Sequence, residues 1–304
     1  MRNPVIVDPV KRSLVVLVLL AACGDSIDLG DYRQAGIDAR CEYLTRCGLW
    51  TTVAACQEYY ERITLDNPNP QAAVDAGKLQ YDGDAARTCF DALESAACTR
   101  TADTNDACTH VFTGTIPDGG MCAFDAECVS AHCVVPDCTM ACCQGACAPP
   151  RPLPGIGQAC TFECVEGAYC AADSTCHSVL PQGAACNDPL ACDADLYCAG
   201  IDTGSSGVCS ALPKTGEPCT SICADIGDRC TAMTCVPLGL PGDPCSDDGQ
   251  CSFYYRCDTT AMKCAERPMD PLVPNGSTCT SGTLCQSTYC DSIYHVCADV
   301  PVCI

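Results

Sequence analysis

Large aromatic and basic side chains are scarce in this sequence of 304 residues. It contains one Trp, five Phe and 16 Lys and Arg, against 38 Asp and Glu, so its formal charge is −22. The scarcity of large apolar rings disfavours one continuous hydrophobic core. The scarcity of Lys and Arg excludes binding to a nucleic-acid backbone, which requires clustered positive charge.

The motifs of several enzyme and metal-binding classes are also missing. No C-x2-C pair occurs, so neither a zinc ribbon nor a thioredoxin-like redox site is predicted. There is no H-E-x-x-H, no G-x-S-x-G and no phosphate-binding loop. His132 and His177 adjoin cysteines, but a catalytic cysteine must be a free thiolate, and repeat positions favour disulfides. We therefore expect no enzyme, no cofactor and no catalytic, cofactor-binding or metal site.

Two features leave a metal site open as the alternative. Four C-x3-C pairs could ligate a soft metal, although an oxidising compartment favours bridges: Cys138/Cys142, Cys143/Cys147, Cys160/Cys164 and Cys219/Cys223. Asp243, Asp247 and Asp248 bring hard oxygen ligands to one loop, where calcium is the alternative to a solvated acidic loop.

Cysteine is the abundant residue, with 35 positions in the chain. This composition is typical of a disulfide scaffold. A reducing cytosol does not maintain so many bridges, so the composition predicts an exported protein. Covalent crosslinks are then expected to replace much of the missing hydrophobic core.

The first 22 residues combine a basic flank with a short apolar segment. Arg2, Lys11 and Arg12 precede an unbroken run of nine apolar residues over 14–22. A helix that crosses a bilayer needs about 20 such residues, so this run is too short to remain as a span. The pattern predicts a secretory signal peptide over 1–22, with a short buried helix as the alternative.

The end of that segment, Leu20-Ala21-Ala22-Cys23, resembles the lipobox of bacterial lipoproteins. In that family the cysteine thiol receives diacylglycerol, the peptide is cut before it, and the new amino group is acylated with a chain such as palmitate. The resemblance implies lipidation at Cys23, with ordinary signal cleavage as the alternative. Two or more acyl chains hold a protein stably at a membrane. Gly24 in the next position implies the outer membrane or cell surface rather than the inner membrane.

Cysteine is sparse between residue 31 and residue 113, after an acidic tether over 23–30. The six cysteines of this region are Cys41, Cys47, Cys56, Cys89, Cys98 and Cys108. Apolar residues recur there at helical spacing. We therefore predict a small helical domain over 31–113 that is held by three disulfides.

Four helices are predicted in this domain from their end signals. The first ends at Gly48, the second is capped by Thr52, a short third begins at Pro70, and the fourth follows Asp82. The residues that the fourth helix is expected to bury are Ala86, Phe90, Leu93 and Ala97.

A repeat occupies the sequence beyond residue 114. Six cysteines each have a glycine three residues before them and a proline four to six residues before them. The six glycines are Gly119, Gly157, Gly183, Gly216, Gly242 and Gly276. Proline restricts φ and glycine permits a positive φ, so we predict a reversal of the chain at the entrance of each unit.

Four cysteines recur within each unit at a spacing close to C-x5-C-x5-C-x6-C. The units are predicted near 117–150, 154–178, 181–210, 213–236, 241–265 and 274–303. Two bridges that close loops of about 15 residues contribute about 3 kcal/mol each in the chain-entropy model, enough to hold a unit too short to fold unaided. The fold class is therefore small and disulfide-rich. We predict an extended array of about six short modules over 114–304, with little regular secondary structure.

The G-x2-C-x5-C-x4-Y-C style of repeat resembles the cysteine-rich module at the amino end of Dickkopf proteins. Together with a helical six-cysteine region, it also resembles cysteine-rich lipoproteins of myxobacterial type. The resemblance covers roughly 115–303 for the modules and 31–113 for the helical part. The partners of Dickkopf proteins are animal receptors, which a lipobox protein would not meet, so the resemblance implies the fold of the module alone.

The number of cysteines differs between units. The first unit has seven and the last has five, whereas each of the middle four has four. Two odd units cannot both close internally, so we predict full oxidation with at least one bridge between units; two free thiols are the alternative. Cys142 and Cys143 should not pair with each other, because adjacent Cα atoms lie only about 3.8 Å apart.

These features predict a non-catalytic, lipid-anchored envelope protein whose acidic array contacts another protein or a glycan. Its partners would be the membrane, through the lipid on Cys23, and a protein or glycan of unknown identity; we expect a monomer. A protease inhibitor is the alternative, with a rigid loop between the second and third cysteines of a module as its inhibitory segment. A third possibility is an enzyme whose site is assembled from scattered Asp, Glu and His.

Overall fold

The computed structural model describes residues 26–63, 70–100, 105–136, 143–201, 206–267 and 271–298, the last range without 281–284, 288–289 and 292–293. The predicted signal peptide, Cys23, Cys138, Cys142 and Cys303 lie outside these residues. Within them the chain forms short helices, small hairpins and 15 disulfides. The small disulfide-rich fold class is confirmed.

The helical domain combines packed helices with one pair of short strands. Its elements among the described residues are α1 (Tyr32–Arg46), α2 (Val53–Ile63), α3 (Pro70–Asp75), β1 (Leu79–Tyr81), α4 (Gly83–Ser95), α5 (Asn105–Cys108) and β2 (Phe112–Gly114). α1 packs against α2 and α4, and β1 pairs antiparallel with β2. Three disulfides join these elements, as predicted: Cys41–Cys56, Cys47–Cys98 and Cys89–Cys108.

The ends of the helices follow their sequence signals. The carboxylate of Asp82 accepts the N–H of Ala85 at 2.9 Å, at the start of α4. The hydroxyl of Thr52 accepts the N–H of Ala55 at 3.2 Å, at the start of α2. Gly48, two residues beyond the end of α1, has a φ of +72°, and its N–H donates to the carbonyl of Thr45 at 3.0 Å. These contacts satisfy backbone groups that a helix end leaves without partners.

The prediction that α4 buries Ala97 is wrong. The helix ends at Ser95, and Ala97 is exposed beyond it. The reason is the disulfide between Cys47 and Cys98, which holds the chain at the end of α1 rather than on the helical path. The other three predicted residues are buried or half-buried: Ala86, Phe90 and Leu93.

The array is built from hairpins that follow one another along the chain. Its strands are β3 (Met121–Cys122), β4 (Cys133–Val134), β5 (Gly145–Cys147), β6 (Ala168–Cys170), β7 (Cys176–Ser178), β8 (Ala185–Cys186), β9 (Leu196–Ala199), β10 (Gly207–Ala211), β11 (Asp228–Thr231), β12 (Thr234–Pro237), β13 (Tyr255–Asp258), β14 (Lys263–Glu266), β15 (Cys290–Asp291) and β16 (Val296–Cys297). All the pairings between these strands are antiparallel.

Each unit has the same disulfide connectivity, which the sequence left open. In the second to sixth units the first cysteine bonds to the third and the second to the fourth, as in Cys245–Cys257 and Cys251–Cys264 of the fifth unit. The first unit follows the same order through Cys122–Cys133 and Cys128–Cys147, with the last of its seven cysteines in the fourth place. The third and fourth cysteines lie directly opposite each other on the two strands of the hairpin, as Cys257 and Cys264 do. The two bridges therefore tie one hairpin to the two loop segments that precede it.

The predicted chain reversal at the entrance of each unit is confirmed. All six repeat glycines have a positive φ, from +81° at Gly157 to +98° at Gly242. The N–H of each glycine donates to the carbonyl of the cysteine on the last strand of its own unit, at N···O distances of 2.7–2.9 Å. The turn thus places the start of each unit against its last strand.

The surplus cysteines of the first and last units are Cys138, Cys142, Cys143 and Cys303. Of these, Cys143 is described, and it is disulfide-bonded. Every other described cysteine pairs within its own unit or within the helical domain, so the partner of Cys143 lies outside the described residues. The bridge between units therefore stays a prediction.

The fifth unit packs against the helical domain, so the prediction of an extended array is wrong at this point. Trp50 packs against Tyr59 and Tyr254, at ring-centre distances of 5.4 and 4.6 Å. The buried Ser252 hydroxyl donates to the carbonyl of Leu49 at 2.8 Å. The contact arises because Trp50, the only Trp in the sequence, lies in the loop between α1 and α2, where an apolar face of this unit covers it.

The first and fourth units contact the helical domain through polar groups. Arg100 donates from Nε to the carbonyl of Cys223 at 3.1 Å. Glu127 of the first unit is fully buried; it accepts the N–H of Ala123 at 2.7 Å and lies 3.6 Å from the ammonium of Lys78. Three of the modules, the first, the fourth and the fifth, therefore contact the helical domain.

Candidate binding sites

An apolar cleft of about 400 Å³ opens in the helical domain. The residues that line it are Tyr32, Arg33, Gly36, Ile37, Arg40, Tyr60, Pro70, Leu79, Phe90, Leu93, Phe112 and Ala126. They come from α1, α2, α3, α4 and the β1–β2 pair, and Ala126 adds an edge from the first unit. Small-molecule pockets have volumes of roughly 300–1,000 Å³ and apolar linings with few polar groups, and this cleft has both properties.

One face of α1 forms the wall of the cleft. Arg33, Gly36, Ile37 and Arg40 recur at spacings of three and four residues, which places them on the same side of a helix. A Cβ atom on Gly36 would lie 3.2 Å from the ring of Phe90. Any other residue at this position would therefore displace the ring. The glycine, unfavourable inside a helix by roughly 0.5–1 kcal/mol, is explained by this close approach.

Two arginines border the cleft at its open side. Arg33 donates from Nη2 to the carbonyl of Glu61 at 3.1 Å. The guanidinium of Arg40 lies 5.3 Å from the centre of the Tyr60 ring. The cleft therefore combines an apolar interior with positive charge, in a chain whose net charge is −22.

Two half-buried tyrosines, one in the fifth unit and one in the helical domain, stay neutral across the physiological range. Burial raises the pKa of Tyr254, and its hydrogen bond with Tyr60, at 2.8 Å between the two hydroxyl oxygens, raises it further. Burial also raises the pKa of Tyr81 to about 12, and its hydroxyl donates to the carbonyl of Ile27 at 2.8 Å. These side chains support packing rather than proton transfer.

A second concave surface, of about 420 Å³, lies at the entrance of the second unit. Leu153 and Phe162 both line it, and Phe162 is 90% exposed. Ile156, three residues after Leu153, is 62% exposed. Exposed apolar side chains that cluster in this way mark interaction surfaces more often than single ones do.

The candidate metal-ligating cysteines that the structure describes are used in bridges, whereas Cys138 and Cys142 lie outside the described residues. Cys160 and Cys164 form one C-x3-C pair. Cys160 bonds to Cys170, and Cys164 bonds to Cys176. The sulfurs of Cys160, Cys164 and Cys176 lie within 4.8 Å of one another, but disulfide sulfurs are not the thiolates that bind metals. The proximity follows from the crossing of two bridges.

The acidic loop of the fifth unit uses its carboxylates for contacts within the array. Asp243 accepts the N–H of Leu240 at 2.8 Å. Asp248 accepts the N–H of Cys257 at 2.7 Å. Asp247 forms an ion pair with Arg229 at 3.7 Å. Each carboxylate therefore has a structural role in shaping the loop.

The two histidines next to cysteines have no thiolate beside them. Cys133 bonds to Cys122, and Cys176 bonds to Cys164. The ring of His132 lies 2.8 Å from the carbonyl of Pro149. A nucleophilic Cys–His pair needs a free thiol, so these positions do not form one.

The apolar stripes of the helices predict only a core, so the sequence does not predict the cleft. One signal is nevertheless present: α1 has a glycine, Gly36, on the face that carries Arg33 and Arg40. Among the residues that the structure describes, no helix has the length and apolar character needed to cross a membrane. No family model, curated protein or solved structure matches this chain.

Proposed function

We propose that this chain is a non-catalytic, lipid-anchored protein of the bacterial envelope that binds another protein or a glycan through its disulfide-stapled modules. The extensive disulfides indicate an oxidising, extracellular environment. The lipobox-like segment that ends at Cys23 supports an acyl anchor. Because the protein is strongly acidic, anionic lipid headgroups repel its surface, so the acyl chains would provide the attachment.

The observation that carries the binding role is the exposed aromatic surface of the second unit. Phe162 lies between Cys160 and Cys164, and each of these cysteines is fixed by a bridge. A ring on a rigid loop loses little conformational entropy when a partner covers it. Aromatic anchors of this kind dominate the energy of many interfaces.

Affinity capture from envelope extract tests this role. The oxidised wild-type chain should retain a partner that the Phe162→Ser variant loses, because the variant removes the apolar anchor and leaves both bridges in place. Phe253→Ser is the matched control, since Phe253 is also exposed, at 63%, but lies in the fifth unit. Equal capture by all three proteins, or no capture above a scrambled-disulfide sample, would contradict the proposal.

The anchor is tested by the intact mass of the mature protein. We expect a chain that begins at Cys23 and carries the mass of a diacylglycerol and an acyl group, with two hydrogen atoms lost for each bridge. The Cys23→Ser variant, exported from a foreign signal peptide, should lack the lipid mass and leave the membrane fraction. A mature wild-type chain without added lipid would refute the anchored form.

A further inference from the structure

The cleft of the helical domain is suited to one apolar chain. Ile37, Leu79 and Phe90 are buried residues whose side chains line its inner part. An apolar ligand segment that enters the cleft would exchange contact with water for contact with these side chains, which is favourable in proportion to the area covered. The volume of about 400 Å³ limits the occupant to a small molecule.

Arg40 places a guanidinium group with available N–H donors at the edge of the cleft. Within the described part of the chain, its guanidinium makes a contact with the face of the Tyr60 ring and no hydrogen bond or ion pair. Asp38 on the same helix instead accepts hydrogen bonds from Gln34 and Gln57, at 2.9 and 2.7 Å. The N–H groups of Arg40 therefore remain available to an acceptor from outside.

Arg33 brings a second positive charge to the same edge. It lies seven residues before Arg40, two helical turns away on the same face of α1. A planar guanidinium binds a carboxylate through two parallel hydrogen bonds, and such charge-assisted bonds are about twice as strong as neutral ones. A ligand with an anionic end would place that end here.

We infer that the cleft binds a small amphipathic anion, an apolar chain that ends in one carboxylate, with the chain between α1 and α4 and the carboxylate at Arg40. Two properties of the cleft, its apolar interior and its positive edge, are complementary to the two parts of such a ligand. The inference concerns the helical domain and does not depend on the proposed anchor or on the surface around Phe162.

Equilibrium dialysis with radiolabelled dodecanoate, below its micelle-forming concentration, tests the inference. The protein is the oxidised full chain with Cys23→Ser, exported from a foreign signal peptide, so that no acyl chain of its own competes for the cleft. We expect one dodecanoate per chain, displaced by excess unlabelled dodecanoate and not by dodecyltrimethylammonium. Dodecanol should compete at least tenfold more weakly, because it lacks the charge.

Three variants separate the charge from the apolar interior. Arg40→Gln should weaken dodecanoate binding about tenfold, the loss of one charge-assisted contact, and Arg40→Lys should retain part of it. Ala126→Trp should abolish binding, since the exposed Ala126 borders the cleft and a large ring there would fill the opening. Arg256→Gln is the control; it removes an exposed arginine of β13, outside the cleft, and should leave binding unchanged.

Circular dichroism and intact mass establish that each variant is folded and fully oxidised. The inference is overturned if wild-type protein binds no dodecanoate, if dodecanol competes as well as dodecanoate, or if folded Arg40→Gln and Arg40→Lys bind with unchanged affinity. Binding that survives Ala126→Trp would place the ligand elsewhere and overturn it as well.

Discussion

At the scale of single residues, the repeat glycines show the closest agreement between sequence and structure. Each has a φ that is closed to most side chains, and a Cβ atom on any of the six would meet nothing within 4 Å. Glycine is therefore required at these positions for its backbone conformation, and not because a side chain would clash with another part of the fold. This is why the fixed offset between glycine and cysteine could be interpreted without knowledge of the fold.

Gly242→Ala tests that interpretation. Its φ of +98° should make alanine destabilising by about 1–2 kcal/mol, the typical penalty of a left-handed conformation. Unfolding in guanidinium chloride, followed by Trp50 fluorescence, reports on this unit because Trp50 packs against it. Gly30→Ala is the control, since its Cβ would also meet open space and its φ is not in the positive region. Equal midpoints for the two variants would contradict the explanation.

At the scale of elements, the hairpin and its two crossing bridges form the unit of structure. The buried cluster of a unit such as the fourth consists almost wholly of its own cysteines: Cys219, Cys223 and Cys235, with Cys230 packed against them. Disulfides therefore supply both the crosslinks and the small core. Spacing alone could not select this pairing, because four cysteines allow three connectivities. The folded unit decides it, because the third and fourth cysteines lie opposite each other on the hairpin and each bonds to a cysteine of the preceding loop segments.

Removal of one bridge should have a local effect. Replacement of both Cys245 and Cys257 with alanine opens a loop with a sequence separation of 12, and should lower the stability of the fifth unit by about 3 kcal/mol. The Trp50 transition should move to lower denaturant accordingly. The same change at Cys279 and Cys290, with a separation of 11, should leave that transition in place. A shift of equal size in both proteins would show that the units are not independent.

At the scale of the whole molecule, the array and the helical domain are joined by an aromatic contact. The cluster unites Ile37, Leu49 and Trp50 of the domain with Leu238 and Tyr255 of the array. Sulfur bridges thus do not replace the hydrophobic core everywhere, since apolar packing holds the two parts together. The single Trp of the chain lies at this contact, which makes its fluorescence a direct measure of docking.

Docking should weaken at alkaline pH. Burial and the hydrogen bond with Tyr60 raise the pKa of Tyr254 above its ordinary value of 10.0, so the folded state keeps this proton more tightly than the unfolded state does. The resulting stabilisation is complete below about pH 10 and is lost as the pH rises through the folded pKa. Trp50 fluorescence, followed from about pH 8 into the alkaline range where tyrosines ionise, should report the onset of this loss.

Tyr254→Phe identifies the group responsible. It should remove part of this pH dependence, because phenylalanine has no hydroxyl to ionise. Tyr294→Phe is the control; Tyr294 is exposed and lies in the last unit. An unchanged alkaline transition in Tyr254→Phe would assign the effect to other tyrosines.

Local chemistry determined the helix ends, the glycine turns, the number of modules and the exported, disulfide-bonded character, because caps, turns and cysteine spacing depend on neighbours a few residues apart. The folded chain alone decided the bridge pairing, the apolar cleft and the docking of the fifth unit. These features join distant positions, such as Leu49 and Ser252, which lie 203 residues apart and share a hydrogen bond. No local pattern shows that the apolar face of the fifth unit contacts the helical domain. That contact depends on the path of the chain through the modules between them.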